Sequence, residues 1–448
     1  MPVKNLKTKI HFIGIGGIGV SALAKYYLAK GYKVSGSDLT DSEIIKSLRK
    51  KGAKIYIGKH KEKNLKKEVD LVIFSPAVGQ NNPEFKKAKK LKIKLQSYPQ
   101  ALGDLTKEYF TVAVSGTHGK STTTCLAGLL LTRAGLDPTV IAGTKMKEFE
   151  NSNCRVGRSQ YLIIEADEHF ASFLNYWPKI VILTSIEADH LDYYKNLGNI
   201  LRTFKKYLAH LPKEGLIIAN EDDKNIYQIT KNKKQTKRYF SLKQKGAKKL
   251  KKILRVPGEH NISNALGALT LARALRIPDK ISFKALAEYK SSWRRFEIIK
   301  TKVAKKFITL ISDYGHHPTE IRATLKAARE KYPKKKIWCV FQPHQYQRTF
   351  YLFEDFVKAL KSAPADKIII TDIYDVAGRE EKAIKKKVNS KKLAEKTKKE
   401  NVIYLPKEKV LNFLEKNLKG NEVVIIMGAG NIYDLTIHLT EKAIKKKI

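Results

Sequence analysis

Short apolar, β-branched runs alternate along this chain with amphipathic helical stretches. That alternation restricts it to parallel α/β sheets, because parallel strands are joined by crossover helices. Runs at 10–15, 33–37 and 70–74 open the chain, and runs at 110–114, 161–164, 180–184 and 216–219 follow. Runs at 308–311, 336–341, 367–371 and 423–427 close it. They fall into three blocks, 1–108, 109–293 and 294–448, a number that 448 residues holds at ordinary domain size.

Composition excludes several classes. The longest apolar stretch near the middle, 126–131, is too short to span a membrane and runs into Arg133. Residues 1–9 carry no apolar core, so no signal peptide is expected. Cys125, Cys154 and Cys339 are scattered and odd in number, which points to reduced thiols and a cytoplasmic protein. The formal charge is +45, yet the excess is lysine in helical runs such as 86–94, 243–252 and 382–387. No arginine or aromatic residue is interleaved there to read or stack on bases, so a solvated surface and no specific nucleic acid are expected.

Gly14-Ile15-Gly16-Gly17-Ile18-Gly19 follows the first strand and precedes a helical run at 20–30. Such glycines allow a tight turn and let backbone N–H groups approach a diphosphate at a helix N-terminus. Asp38 ends the next strand, where an acidic residue can hold a ribose. By itself the pattern fits NAD and a dehydrogenase, another nucleotide diphosphate, or a turn that only packs helix on strand.

A second turn is more specific. Gly116-Thr117-His118-Gly119-Lys120-Ser121-Thr122 lies between the strand 110–114 and a helix beginning near Ser121. Gly116 and Gly119 free the backbone to wrap phosphate oxygens, and Lys120 brings a positive charge to the β- and γ-phosphates. Ser121 or Thr122 offers a hydroxyl to Mg²⁺. Val114 stands where the usual consensus begins with glycine. Two acidic strand ends follow, with Glu165 in one and Asp189, His190 and Asp192 in the other. Glu165 and His190 suit metal ligation at the carboxyl ends of parallel strands, while Asp189 or Asp192 equally suits a helix N-cap.

Together with Ser35-Gly36-Ser37-Asp38, Pro257-Gly258-Glu259-His260-Asn261, Arg294-Arg295-Phe296-Glu297, Asp313-Tyr314-Gly315-His316-His317-Pro318, Phe341-Gln342-Pro343-His344 and Met427-Gly428-Ala429-Gly430, these motifs occur in an order that resembles the Mur ligases over nearly the whole chain. The resemblance implies an α/β fold of three domains: N-terminal Rossmann-like, central P-loop ATPase-like parallel sheet, and C-terminal Rossmann-like. It implies ATP-dependent joining of L-alanine to UDP-N-acetylmuramate in peptidoglycan synthesis, with Mg²⁺, by a monomer or homodimer. A related ligase adding a recycled tripeptide shares most of the motifs.

By the same resemblance, Gly14, Gly16, Gly17, Ile18, Gly19, Ser37, Asp38 and Ser75 hold the UDP-sugar. Gly116–Thr122, His260, Asn261 and Arg295 hold ATP, and Ser121, Glu165 and His190 hold metal. Tyr314, His316, His344 and Arg348 face alanine, and Lys120, Glu165, His190 and His316 are catalytic, with His316 a candidate base. Read without the family, Asn261 and Asn264 suit helix caps, Arg294 and Arg295 suit a plain surface, and the His316–His317 pair suits loop structure, metal or substrate. Three positions depart from the family pattern: Gln345 follows Pro343-His344 where arginine is common, Ser312 replaces the first of an aspartate pair, and Asn431 replaces an aspartate.

Overall fold

The computed structural model describes residues 8–376 and 380–444. Most of the N-terminal segment read for a signal peptide therefore lies outside the described residues. Every strand expected from sequence falls on an observed one, and three sheets result.

The first sheet contains β1 (Lys9–Ile13), β2 (Lys33–Asp38), β3 (Lys54–Ile57), β4 (Leu71–Phe74) and β5 (Lys94–Ser97), in the order β3-β2-β1-β4-β5. All four pairings are parallel. The strand expected at 10–15 stops at Ile13, because Gly14 already turns with φ +77°. The helix expected at 20–30 is Ile18–Ala29.

The second sheet holds β6 (Phe110–Ser115), β7 (Thr139–Met146), β8 (Ser152–Arg155), β9 (Tyr161–Ala166), β10 (Ile180–Leu183), β11 (Leu216–Asn220) and β12 (Thr236–Phe240). Their order is β12-β11-β10-β6-β9-β7-β8, parallel except for the β7–β8 pair. β6 is central and buried from Thr111 to Ser115, as both-face coverage by helices requires. It delivers the second glycine turn at its carboxyl end.

The third sheet comprises β13 (Glu297–Val303), β14 (Lys306–Asp313), β15 (Ile337–Phe341), β16 (Lys367–Ile370), β17 (Val402–Tyr404) and β18 (Val423–Met427), in the order β13-β14-β18-β15-β16-β17. β13 pairs antiparallel with β14, and the remaining pairs are parallel.

The chain divides into two compact units, one of residues 1–186, 201–241 and 264–287, the other of 187–200, 242–263 and 288–448. The first two sheets belong to the first unit and the third sheet to the second. No described helix is long and apolar enough to cross a membrane. All three cysteines are buried and none forms a disulfide.

Candidate active site

In the first unit the phosphate loop is fixed by the end of β10. Thr117 N–H donates to the Ser185 carbonyl at 2.7 Å, and His118 N–H donates to Ser185 Oγ at 3.0 Å. Gly116 (φ +139°) packs so tightly on Thr184 that a Cβ would collide with its hydroxyl. Gly119 (φ +82°) caps the helix Lys120–Arg133, and Asn264 Oδ1 occupies the space a Cβ would need. Asn264 is thus a packing partner of the loop, not the helix cap its sequence context suggests. Neither glycine tolerates a side chain.

Lys120 Nζ donates to the Gly116 carbonyl at 2.8 Å and to Glu168 at 2.7 Å, with Asp167 at 3.5 Å. Burial alone would lower its pKa, but Glu168, Asp167 and Glu165 outweigh that and hold the ammonium above its ordinary range. Ser121 Oγ donates to Glu165 Oε1 at 3.0 Å, and Gly143 N–H donates to Oε2 at 2.8 Å. A cation and a hydroxyl–carboxylate pair therefore flank a turn of backbone amides, an arrangement suited to a metal-bound polyphosphate. Gly143 escaped the sequence reading, and Glu168 was read only as one of the carboxylates of a strand end, with no role of its own. Glu168 lay within a visible acidic cluster, whereas Gly143 meets Glu165 only through the β7–β9 pairing.

The glycine turn of the first sheet is largely tied to protein. Gly14 and Ile15 N–H donate to the Ser37 carbonyl at 2.9 and 3.1 Å, and Gly16 N–H to Asp38 Oδ2 at 2.8 Å. Asp38 thus anchors the turn through one carboxylate oxygen. Ser37 is fully buried, and its hydroxyl donates to Glu84 at 2.7 Å, below the turn with His11 and His60. It thereby supports the turn from within the sheet. What the turn still offers is the first turn of the helix Ile18–Ala29, which lacks a side-chain N-cap. Half-buried Ser75 meets the space above Gly14.

In the second unit, Arg294 is 7% exposed and donates to the Gly428 carbonyl. It lies over the Tyr314 and Tyr433 rings, and Arg295 also lies over Tyr314. The plain-surface reading of this pair is overturned. Asp313 accepts from Phe296 N–H and Gly315 N–H, both at 2.8 Å, and so ties the arginine segment to the Tyr314–His316 turn.

Tyr314, His316 and His344 form a run of rings, with centroids 5.5 Å apart for the first pair and 5.9 Å for the second, continued by Tyr374 stacked on His344 at 5.4 Å. Tyr374 was not anticipated, since only the bridge between His344 and Tyr374 brings it there. Arg348 stands beside this run, buried, and donates to Asp189 at 2.9 and 3.4 Å. Asp189 is therefore the counterion of Arg348, not a helix cap. The left-handed residue His190 (φ 50°) starts the short helix Leu191–Tyr194 with no side-chain cap bond, its Nε2 3.8 Å from Asp189. Gln345, in the position where arginine is common, is buried with φ 73°.

His316 and His317 engage different partners. His317 caps the helix Pro318–Lys331, accepting from Thr319 N–H at 3.2 Å, while His316 Nδ1 lies 3.1 Å from the Tyr314 carbonyl. Burial pushes the His316 pKa down to about 4, which makes it a weak acceptor for an ammonium proton and weakens its candidacy as the base.

Asn261 Nδ2 donates to the Pro257 carbonyl at 2.7 Å, a bond within its own helical turn and not an N-cap. Burial lowers the pKa of His260, its neighbour, from 6.5 to about 4, against the pull of Glu320 and Glu259. The unfolded chain thus binds more protons below pH 6.5, and stability falls as pH drops from 6.5 toward 4. This linkage amounts to roughly 2 kcal/mol by pH 5. The variant His260→Gln should show a smaller drop in Tm between pH 7.5 and 5.0 than the wild type, and an equal drop would refute the assignment.

A central phosphate loop with a cation and a carboxylate, on a chain of three mainly parallel sheets, marks a nucleotide-dependent ligase fold. Sequence models of the Mur ligase family match at residues 9–110 (catalytic domain), 114–272 (middle domain) and 294–430 (glutamate ligase domain). The chain belongs to the Mur ligase family. Among its relatives, the UDP-N-acetylmuramate–L-alanine ligase of Clostridium botulinum is 39% identical, covering 96% of this chain and 97% of that protein. The enzyme of the same name from Acetivibrio thermocellus is 40% identical over 95% and 94%. The crystal structure of UDP-N-acetylmuramate-alanine ligase MurC from Thermotoga maritima superposes with a TM-score of 0.79 at 28% identity, covering 98% and 99%. A murein peptide ligase of Psychrobacter arcticus has the same fold at 21% identity, with a TM-score of 0.72 over 96% and 98%.

Proposed function

We propose that this chain is a cytoplasmic ligase that joins L-alanine to UDP-N-acetylmuramate in peptidoglycan precursor synthesis, converting ATP to ADP and phosphate. The observation that carries the reading is the phosphate loop, where Lys120 and the Ser121–Glu165 pair flank Gly116–Gly119 in a chain 39% identical to ligases of that name. In the reaction, a carboxylate oxygen of the sugar nucleotide attacks the γ-phosphorus and ADP leaves. The neutral alanine nitrogen then attacks the acyl phosphate carbon, the carbon–oxygen bond to phosphate breaks, phosphate leaves with that oxygen and the electron pair, and the nitrogen gives up a proton.

The residues solve an electrostatic problem, since a carboxylate must approach a triphosphate. Lys120 leaves Glu168 for the phosphates, and the first-turn amides of the helix Lys120–Arg133 donate to the phosphate oxygens. Ser121 and Glu165 present hard oxygen donors 3.0 Å apart, which suits Mg²⁺. Mg²⁺ held there supplies charge neutralisation on the phosphates. His190 is assigned to metal binding by family resemblance. The helix amides of Ile18 and Gly19 take the sugar diphosphate, with Ser75 beside them. His260, Asn261 and Arg295 serve the nucleotide.

Tyr314, His316 and His344 shape the alanine pocket. Arg348 binds the carboxylate of alanine while Asp189 fixes its orientation, a sharing that five guanidinium N–H donors permit. No side chain forms a covalent bond to substrate. The NAD-dehydrogenase alternative fails on the relatives, and the tripeptide-adding alternative is disfavoured because the relatives at 39–40% identity are alanine ligases.

The test is phosphate release from ATP with UDP-N-acetylmuramate and each of alanine, serine, glycine and tripeptide. Release that needs both the sugar nucleotide and alanine supports the proposal. Release unaffected by alanine, or greatest with tripeptide, overturns it.

A further inference from the structure

Tyr98 begins the helix Tyr98–Glu108, immediately after β5 at the carboxyl end of the first sheet. Its ring covers Gly19: a Cβ there would stand 2.8 Å from the ring carbon Cζ and 2.9 Å from the phenolic oxygen. The hydroxyl thus lies at the one helical turn through which the glycine turn can still donate to an anion. No hydrogen bond to the hydroxyl is found among the described residues, although the residue is half-buried.

Burial first, then the charges of Glu165 and Asp167, hold the phenol above its ordinary pKa, so it remains a donor. Those two carboxylates flank Ser121 and Lys120. The phenol that covers the glycine turn therefore also feels the charge of the acidic strand tip. Its backbone is well fixed. A Ser97–Gln100 capping box starts the helix, and Gly103 packs against the Asn175 backbone with no room for a Cβ.

We propose that Tyr98 is a substrate-contact residue whose hydroxyl donates a hydrogen bond to an oxygen of the sugar diphosphate lying along Ile18–Gly19. The contact orients the rest of the sugar nucleotide toward Lys120. This rests on the ligase reading above. The side chain is not part of either glycine motif, and only the packing of β5 beside β4 brings it over the turn.

The test is Tyr98→Phe, which keeps the ring on Gly19 and removes only the donor. Calorimetric titration with UDP-N-acetylmuramate should show Kd raised about tenfold or more, as for a lost bond to a charged acceptor. Kd for ATP and the Tm should stay at wild-type values. An unchanged Kd for UDP-N-acetylmuramate, in a wild type that binds it, overturns the inference and leaves the ligase reading intact. Equal weakening of both ligands with a lowered Tm assigns the phenol to packing and also overturns it. A wild-type chain that does not bind UDP-N-acetylmuramate sinks the ligase reading and this inference with it.

Discussion

Phosphate release by Lys120→Ala falls by about 10³-fold, the scale set by removing one preorganised electrostatic group from a reacting centre. The ammonium sits among Glu168, Asp167 and Glu165 and touches the Gly116 carbonyl; burial pushes the Glu168 carboxyl up to about 8, so loss of Lys120 leaves Asp167 and Glu165 as the charges facing the incoming phosphates. Repulsion then replaces attraction at the position where charge develops. Lys120→Arg should not rescue the rate, because a planar fork cannot replace a compact ammonium within this turn. Removing one member of a buried pair also strains the fold. The double variant Lys120→Ala with Glu168→Gln relieves that strain and should remain inactive with a near-wild-type Tm. Turnover near wild type in either variant would exclude the role assigned to Lys120.

Asp189→Ala lowers stability by about 3–5 kcal/mol, because it leaves the Arg348 guanidinium buried without a counterion. In a domain of this size, that corresponds to a fall in Tm of roughly 10 °C. Burial opposes ionisation of Asp189, yet Arg348, then His190 and His317, hold its carboxyl well below the usual range. A depressed carboxyl stabilises the fold above its unfolded pKa near 3.8 and loses that contribution as pH falls further. Wild-type stability should therefore drop below pH 4 more steeply than that of the variant. Adding Arg348→Leu to Asp189→Ala removes the orphaned charge and should recover more than half of the lost Tm. A single variant within about 2 °C of wild type would show that the pair carries no such weight.

The central strands were legible because their two covered faces demand continuous apolar runs, as in residues 110–114 and 423–427. Six of the strands that sequence did not pick out, β3, β5, β8, β12, β13 and β17, are the outermost strands of their sheets. Most carry polar or lysine residues, such as Lys54, Lys94, Lys237 and Lys302, which blunt an exposed edge and erase the periodic signal. The helix at Pro318–Lys331 was legible from its proline, whereas its cap by His317 was not.

Sequence by itself determined the loop chemistry of this protein. Local spacing fixes where a glycine, a lysine and a hydroxyl must lie along one turn, and the order of such turns specifies the family. Tertiary structure decided who holds whom. Asp38 and Ser37 turned out to brace the glycine turn, Asp189 to neutralise Arg348, and Tyr98 to cover Gly19. Those pairings join residues tens to more than a hundred positions apart, and strand order, not local spacing, sets which side chains meet.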